Sequence, residues 1–327
     1  MRAGKGMVIW LGALAGSTSA LAEPVSAADR YPLSRLFVPP AVTSADFTNG
    51  HRPFTLDVDW GTFATQSTGR TELLIYDGEF VTTTGRWQWQ RGAWRFGLDV
   101  PAVYQSGGML DRLIDEFHQL FGLPEGDRPV QPIDALQLFY TDEQGTRFDV
   151  RGDDWGLGET HLHVGRSLRQ TPKTVSAWRA HLKLPTGSTR RLLGSGTVGA
   201  GVEWHAMTRS EWRGRGLTWF GGAGVQWQDG SDVLPDRVKR VAAFGHVGGR
   251  LFLRPALSAV VQVDFHTPYF DSGLDGIENA YAITFGGRWQ RARGDAFEFT
   301  VYEDIVPRSV PDVVFQFRWL SSTRKAP

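Results

Sequence analysis

The strand-like stretch Asp312-Val313-Val314-Phe315-Gln316-Phe317-Arg318-Trp319-Leu320 constrains the fold more than any other part of the chain. On an extended backbone Val313, Phe315, Phe317 and Trp319 share one face, and Asp312, Gln316 and Arg318 share the other, because side chains alternate with a period of two. A helix would mix the two sets. A strand with aromatics on its apolar face, late in a chain with an export leader, has the pattern of the strand that closes an outer-membrane β-barrel.

The leader is expected over residues 1–22. Arg2 and Lys5 precede an apolar run from Met7 to Gly16, and Ala20-Leu21-Ala22 matches a small-x-small cleavage site. That run is too short to span a bilayer, and no later window is apolar for long enough, so any membrane crossing falls to strands. A mean hydropathy of -0.27 is compatible with this, since a barrel shows only every second residue to lipid. The charges balance, 35 Lys+Arg against 35 Asp+Glu, which argues against a nucleic-acid partner. With no cysteine, disulfides, thiolate metal sites and a Cys nucleophile are excluded.

Residues 23–52 contain Pro24, Pro32, Pro39 and Pro40 and read as an irregular lead-in, either periplasmic or plugging the barrel. The barrel itself is expected over 53–320, followed by a polar tail at 321–327. Its first strand carries Phe54, Leu56, Val58 and Trp60 against Asp57 and Asp59. The second, 71–90, loses phase at Asp77-Gly78-Glu79, where a bulge or an extra hairpin is expected. The third, 94–100, ends at Pro101. Further strands are expected near 157–168, 174–184, 196–207, 216–227, 239–253, 256–267, 279–291, 295–303 and 312–320, which makes about twelve, an even number as single-chain bacterial barrels require. Short connections alternate with long ones, apart from a short turn at 67–70 among the long ones and a longer one at 208–215 among the short.

One long loop, 104–156, departs from the strand pattern. Leu113, Ile114, Phe117, Leu120 and Phe121 fall at helical spacing between Asp111 and Phe121, with His118 among them and Gly122 and Pro124 as a stop. This short amphipathic helix is expected to gate or cap the barrel mouth. A small hairpin is expected after it, over 135–140 and 146–150.

Several local motifs resemble those of the family of outer-membrane barrels catalogued as domain of unknown function 3187. They are Asp77-Gly78-Glu79, Gly107-Gly108-Met109-Leu110-Asp111, Phe117-His118 with Phe121-Gly122-Leu123-Pro124, Leu182-Lys183-Leu184-Pro185-Thr186-Gly187, Gly194-Ser195-Gly196, and Glu303-Asp304 with Pro311-Asp312-Val313. The resemblance spans most of the chain beyond the leader. It implies an all-β transmembrane barrel in the outer membrane of a Gram-negative bacterium, and it carries no catalytic residues.

With the apolar faces toward lipid, the alternate residues line the lumen: Asp57, Asp59, Asp99, Glu159, His161, His163, Arg179, His181, Lys183, Glu203, His205, Arg240, His246, Arg250, Asp264, His266, Arg288, Glu298, Gln316 and Arg318. They form either a self-satisfied filling or a polar channel. His161-x-His163 shares a face, as metal ligands do, but spacing supplies no third ligand, and no metal or cofactor is assigned. Asp57-x-Asp59 and Asp264-x-His266 resemble the paired groups of the omptin proteases, which sit at the rim, whereas Asp57 is near mid-strand. Ser167 and Ser258 stand in no hydrolase motif. The expected function is a passive channel or a porter for a small solute, with apolar solutes among the candidates, gated by the loop helix. An outer-membrane hydrolase and a purely structural barrel are the alternatives. The expected partners are outer-membrane lipid and the barrel-assembly machinery, the latter through the C-terminal strand.

Overall fold

A computed structural model describes residues 24–25, 29–39, 50–108, 135–306, 310–322 and 324–325. Twelve antiparallel strands close into a barrel. They are β1 Phe54–Thr68, β2 Leu73–Arg91, β3 Trp94–Ser106, β4 Thr160–Gln170, β5 Thr174–Leu184, β6 Gly199–Trp212, β7 Arg215–Gln228, β8 Val241–Arg254, β9 Leu257–His266, β10 Ala280–Gln290, β11 Ala296–Asp304 and β12 Val313–Leu320. Each pairs with its neighbours in sequence, and β12 returns to β1 with Val313 opposite Thr62 and Leu320 opposite Thr55. Closure leaves no free edge, which a bilayer demands because lipid offers backbone groups no hydrogen bonds.

The burial pattern is inverted relative to a water-soluble protein. Arg250 and Arg179 are 0% and 1% exposed, while Trp289 and Val247 are 54% and 62% exposed. Charged groups therefore sit inside and apolar ones outside, as lipid contact requires. Trp87, Trp89, Trp94, Trp212, Trp219 and Trp289 ring the end with short turns, and Tyr104, Trp155, Trp227 and Tyr281 ring the other, the positions at which amphipathic rings favour a membrane interface.

Three expectations about strand limits need correction. β2 passes Asp77-Gly78-Glu79 opposite β1 without a register shift. Gly78 absorbs the local distortion by a φ of 138°, open to glycine alone, rather than by an extra residue. β3 continues through Pro101 to Ser106. Pro101 stands where β3 changes partner from β4 to the strand Asp154–Leu157, so its missing N–H interrupts no regular ladder, and its carbonyl accepts from Gly158 N–H at 2.9 Å. The connection expected at 208–215 shrinks to Arg213-Gly214, both with positive φ, between strands that pair to Trp212 and Arg215.

The hairpin expected within the long loop forms from Gln137–Asp142 and Gly145–Arg151, and extends the sheet from the outer end of β2. The amphipathic stretch 111–121 and the leader 1–22 lie outside the described residues.

Candidate functional site: the occupied lumen

The short-turn half of the lumen is held by a belt of buried ion pairs, most of them between adjacent strands. Asp57 on β1 meets Arg86 on β2 at 2.6 Å and Arg318 on β12 at 2.8 Å, and Arg86 reaches Asp99 on β3 at 3.3 Å. Glu298 on β11 takes Arg250, Arg288 and Arg318 at 2.5, 2.9 and 3.3 Å. Register explains the belt. Asp57 lies opposite Arg318, Arg318 opposite Glu298, and Glu298 opposite Arg288, so alternating signs fall in one row. A row of this kind offsets desolvation only if each charge is paired on several sides, and Glu298 is paired on three.

The β4 to β8 wall carries histidines instead. His161 and His181 stand 6.1 Å apart between ring centres, and His205 stacks on His246 at 5.3 Å. Arg179 bonds Glu203, which also pairs with His205 at 3.0 Å. Three of the rings have room because a glycine lies beside them on a neighbouring strand. A Cβ at Gly97 would strike His163, one at Gly201 would strike His181, and one at Gly222 would strike His205. Among the described residues no group of three or more His, Asp or Glu is placed to hold a metal ion.

The long-loop half is filled by a segment that belongs to no strand. Residues 29–39, with a short 3-10 turn at Ser34–Leu36, stand inside the barrel, and Tyr31, Leu33, Leu36, Phe37 and Val38 join one apolar core with Phe63, Tyr76, Phe80, Leu138, Tyr140, Leu192, Leu234, Tyr269, Phe270 and Tyr302. The lead-in thus plugs the barrel over its described part. Its backbone bonds are local, such as Arg35 N–H to the Tyr31 carbonyl at 2.9 Å. Its ties to the wall run through side chains. Arg30 donates to Asp59 at 2.8 Å, Tyr31 bonds Thr65 at 2.6 Å, Arg35 donates to Gln105 at 2.5 Å and to the Leu192 carbonyl at 2.9 Å, and Gln226 donates to the Phe37 carbonyl at 2.8 Å. Nearer the belt, Gln262 bonds both the N–H and the carbonyl of Val25, and Arg318 donates to the Pro24 carbonyl at 3.3 Å. Burial pulls the Arg35 guanidinium down to about 9. Two small cavities of ≈ 60 and ≈ 50 Å³ flank the segment, each with room for a few waters.

The sequence-expected lumen residues mostly take these inner positions. Asp57, Asp59, Asp99, Glu159, His161, His163, Arg179, His181, Lys183, Glu203, His205, Arg250, Asp264, His266, Arg288, Glu298, Gln316 and Arg318 are buried, and His246 is half-buried. Arg240 is the exception. It lies just before β8, exposed, 3.6 Å from Asp229. Glu159 and Lys183 pair at 3.2 Å and together hold Ser195 of the 185–198 loop. His266 Nε2 meets Asp29 of the plug at 2.5 Å, so its partner is the inserted segment and not Asp264. Ser258 Oγ accepts from Arg250 at 3.2 Å. Sequence reasoning missed Arg30, Tyr31, Arg35, Gln105, Gln226 and Gln262. The signal for the plug was present, however, since Tyr31, Leu33, Leu36, Phe37 and Val38 are too many apolar residues for a solvated lead-in.

Above the plug, the 137–151 hairpin and two loops close the long-loop end. Arg147 bonds Asp142 at 2.7 Å and also Asp236, while Arg237 bonds Asp142 at 3.2 Å and also Glu72.

Among solved structures, the chain is similar to an outer-membrane channel from Pseudomonas putida F1, at 12% identity and a TM-score of 0.49, over 84% of this chain and 96% of that one. It is also similar to a FadL homologue from Pseudomonas aeruginosa, at 9% identity and 0.41, over 91% and 98%. A third is the β domain of the Bordetella autotransporter BrkA, at 10% and 0.41, over 84% and 100%. At TM-scores below 0.5, neither detailed shape nor function carries over. No curated protein matches the chain. The profile of the family described as Protein of unknown function (DUF3187) matches residues 31–319, from the plug to the closing strand, and the chain belongs to that family.

Proposed function

We propose that the protein is an outer-membrane channel for a small apolar solute, held shut at rest by residues 29–39 with Pro24 and Val25. The observation that carries this reading is the division of labour inside the barrel. The wall is a closed hydrogen-bonded ladder complete in itself, while the filling is a separate segment tied to it by side chains. Such a segment can leave without breaking the wall. Its departure would expose the faces of Phe63, Tyr76, Phe80, Tyr269, Phe270 and Tyr302, now covered by Tyr31, Leu33, Leu36 and Phe37. An apolar solute would replace those contacts, and a strongly hydrated one would not. The outer apolar band faces lipid, and the long-loop end faces the exterior. We extend the reading to the 111–121 stretch, outside the described residues, as a second gate on sequence grounds alone.

Planar-bilayer conductance tests the reading. Inserted full-length protein should be quiet, and a variant lacking residues 24–39 should conduct while keeping the heat-modifiable mobility of a folded barrel. Flat traces from both, with insertion verified, would overturn the channel.

A further inference from the structure

The chain is neutral overall, yet its short-turn end is rich in exposed cations and poor in acids. At the short-turn end Arg91, Arg169, Lys173, Arg213, Arg215 and Arg254 are exposed, and Arg166 and Arg293 stand with them. The acids there are Glu211 and a buried Asp295, the latter already bonded to Arg291. At the long-loop end the exposed acids Asp149, Asp153, Asp229, Asp271, Asp275 and Glu278 stand among exposed Arg70, Arg151, Arg190, Arg191 and Arg240, so both signs are mixed there.

We infer that the short-turn end binds the anionic headgroups of phospholipids in the leaflet it meets, through a ring of cations around the outside of the barrel. Two observations carry this. The first is distribution. The cations occupy the β2–β3, β4–β5, β6–β7, β8–β9 and β10–β11 turns or the strand ends beside them, and so encircle the barrel instead of forming one patch. A ring fits a plane of phosphates; a single acidic protein would touch only one arc of it. The second is height. Arg166 lies over the Trp94 ring at 5.7 Å, Arg213 over Trp212 at 4.8 Å and Arg291 over Phe297 at 5.1 Å, and all three rings are exposed on the outer face. These guanidinium groups are therefore level with the aromatic girdle, the depth at which headgroups begin. At Arg166 and Arg213 stacking occupies the guanidinium plane and leaves the N–H edge outward for phosphate, whereas the edge of Arg291 is taken by Asp295. The inference rests on the reading that the barrel spans a bilayer, and is independent of any conductance.

Tryptophan quenching by brominated lipid separates the two. The protein is folded into phosphatidylcholine vesicles containing phosphatidylglycerol, with one lipid brominated at a time, and the relative association of each with the wall is read from the quenching. Phosphatidylglycerol should associate about fivefold more strongly at low ionic strength, the factor one cation near a charged surface supplies, and the preference should fall as salt is added. The combined variant Arg169→Glu, Arg213→Glu, Arg254→Glu and Arg293→Glu should lose it, and the same four positions changed to Lys should keep it. Equal quenching by both lipids, or a preference unchanged in the glutamate variant, would overturn the ring while leaving the spanning barrel intact. Absence of quenching by either lipid would overturn the spanning reading itself. Binding of soluble polyglutamate with no lipid preference would assign the ring to an acidic polypeptide and overturn the inference.

Discussion

The sharpest prediction concerns depth on the outer wall. Phe315 lies four residues before Trp319 on β12, and at ~3.4 Å per residue with a strand tilt of ~40° it stands about 10 Å above the girdle, near the middle of an apolar band ~25 Å tall. Its ring contacts Trp60 and Phe299, each at 6.4 Å. Phe315→Arg should therefore cost ~2–4 kcal/mol for a cation at mid-membrane and roughly 1 kcal/mol for the lost ring contacts. Trp289→Arg is the matched control. Trp289 stands at the girdle, stacked on Phe297 at 6.3 Å, so the ring loss is similar but the charge term falls to ~0–1 kcal/mol. Urea-dependent folding into vesicles, read by tryptophan fluorescence and heat-modifiable mobility, should show the mid-wall variant weaker by about 2–3 kcal/mol. Equal destabilisation at the two positions would refute the assignment of that face to lipid.

Three further outcomes follow from the lumen and its cover. Glu298→Gln removes the one carboxylate shared by Arg250, Arg288 and Arg318, and should destabilise the barrel by ~3–5 kcal/mol in the same assay, as breaking a buried ion-pair network does. At the long-loop end, hydrogen bonds from Arg147 hold the Asp236 carboxyl down to about 2, below its unfolded value near 4. A depressed carboxylate stabilises above the unfolded value and loses that contribution as pH falls through the folded one. Protection of the 144–147 amides, taken as the intrinsic exchange rate divided by the observed one, should therefore be high at about pH 5 and fall toward pH 2, whereas in Asp236→Asn it should be low at both. Deleting residues 109–122 should leave a heat-modifiable barrel, and in the background lacking residues 24–39 it should raise conductance further. Unchanged conductance would remove the gating role from the loop helix.

Local sequence determined the wall. Because strand side chains alternate by backbone geometry alone, Asp57, Asp59, Arg179, Glu203, Glu298 and Arg318 could be assigned to the inner face without knowing any partner. The strand number followed from the same periodicity and from the spacing of turns. Tertiary structure decided what the wall encloses. The bond between His266 and Asp29 joins residues 237 positions apart, and that between Arg318 and Pro24 spans 294, separations across which no local pattern carries information. Pro101 shows the same limit on a smaller scale. Whether a proline ends a strand depends on which neighbour its missing N–H would have faced, and only the pairing of β3 with two successive partners made that position free. Facing is a property of one strand and can be read from it. The filling of the lumen depends on a segment entering from outside the sheet, and its place is set by the apolar core and the side-chain hydrogen bonds that exist only once the barrel has closed.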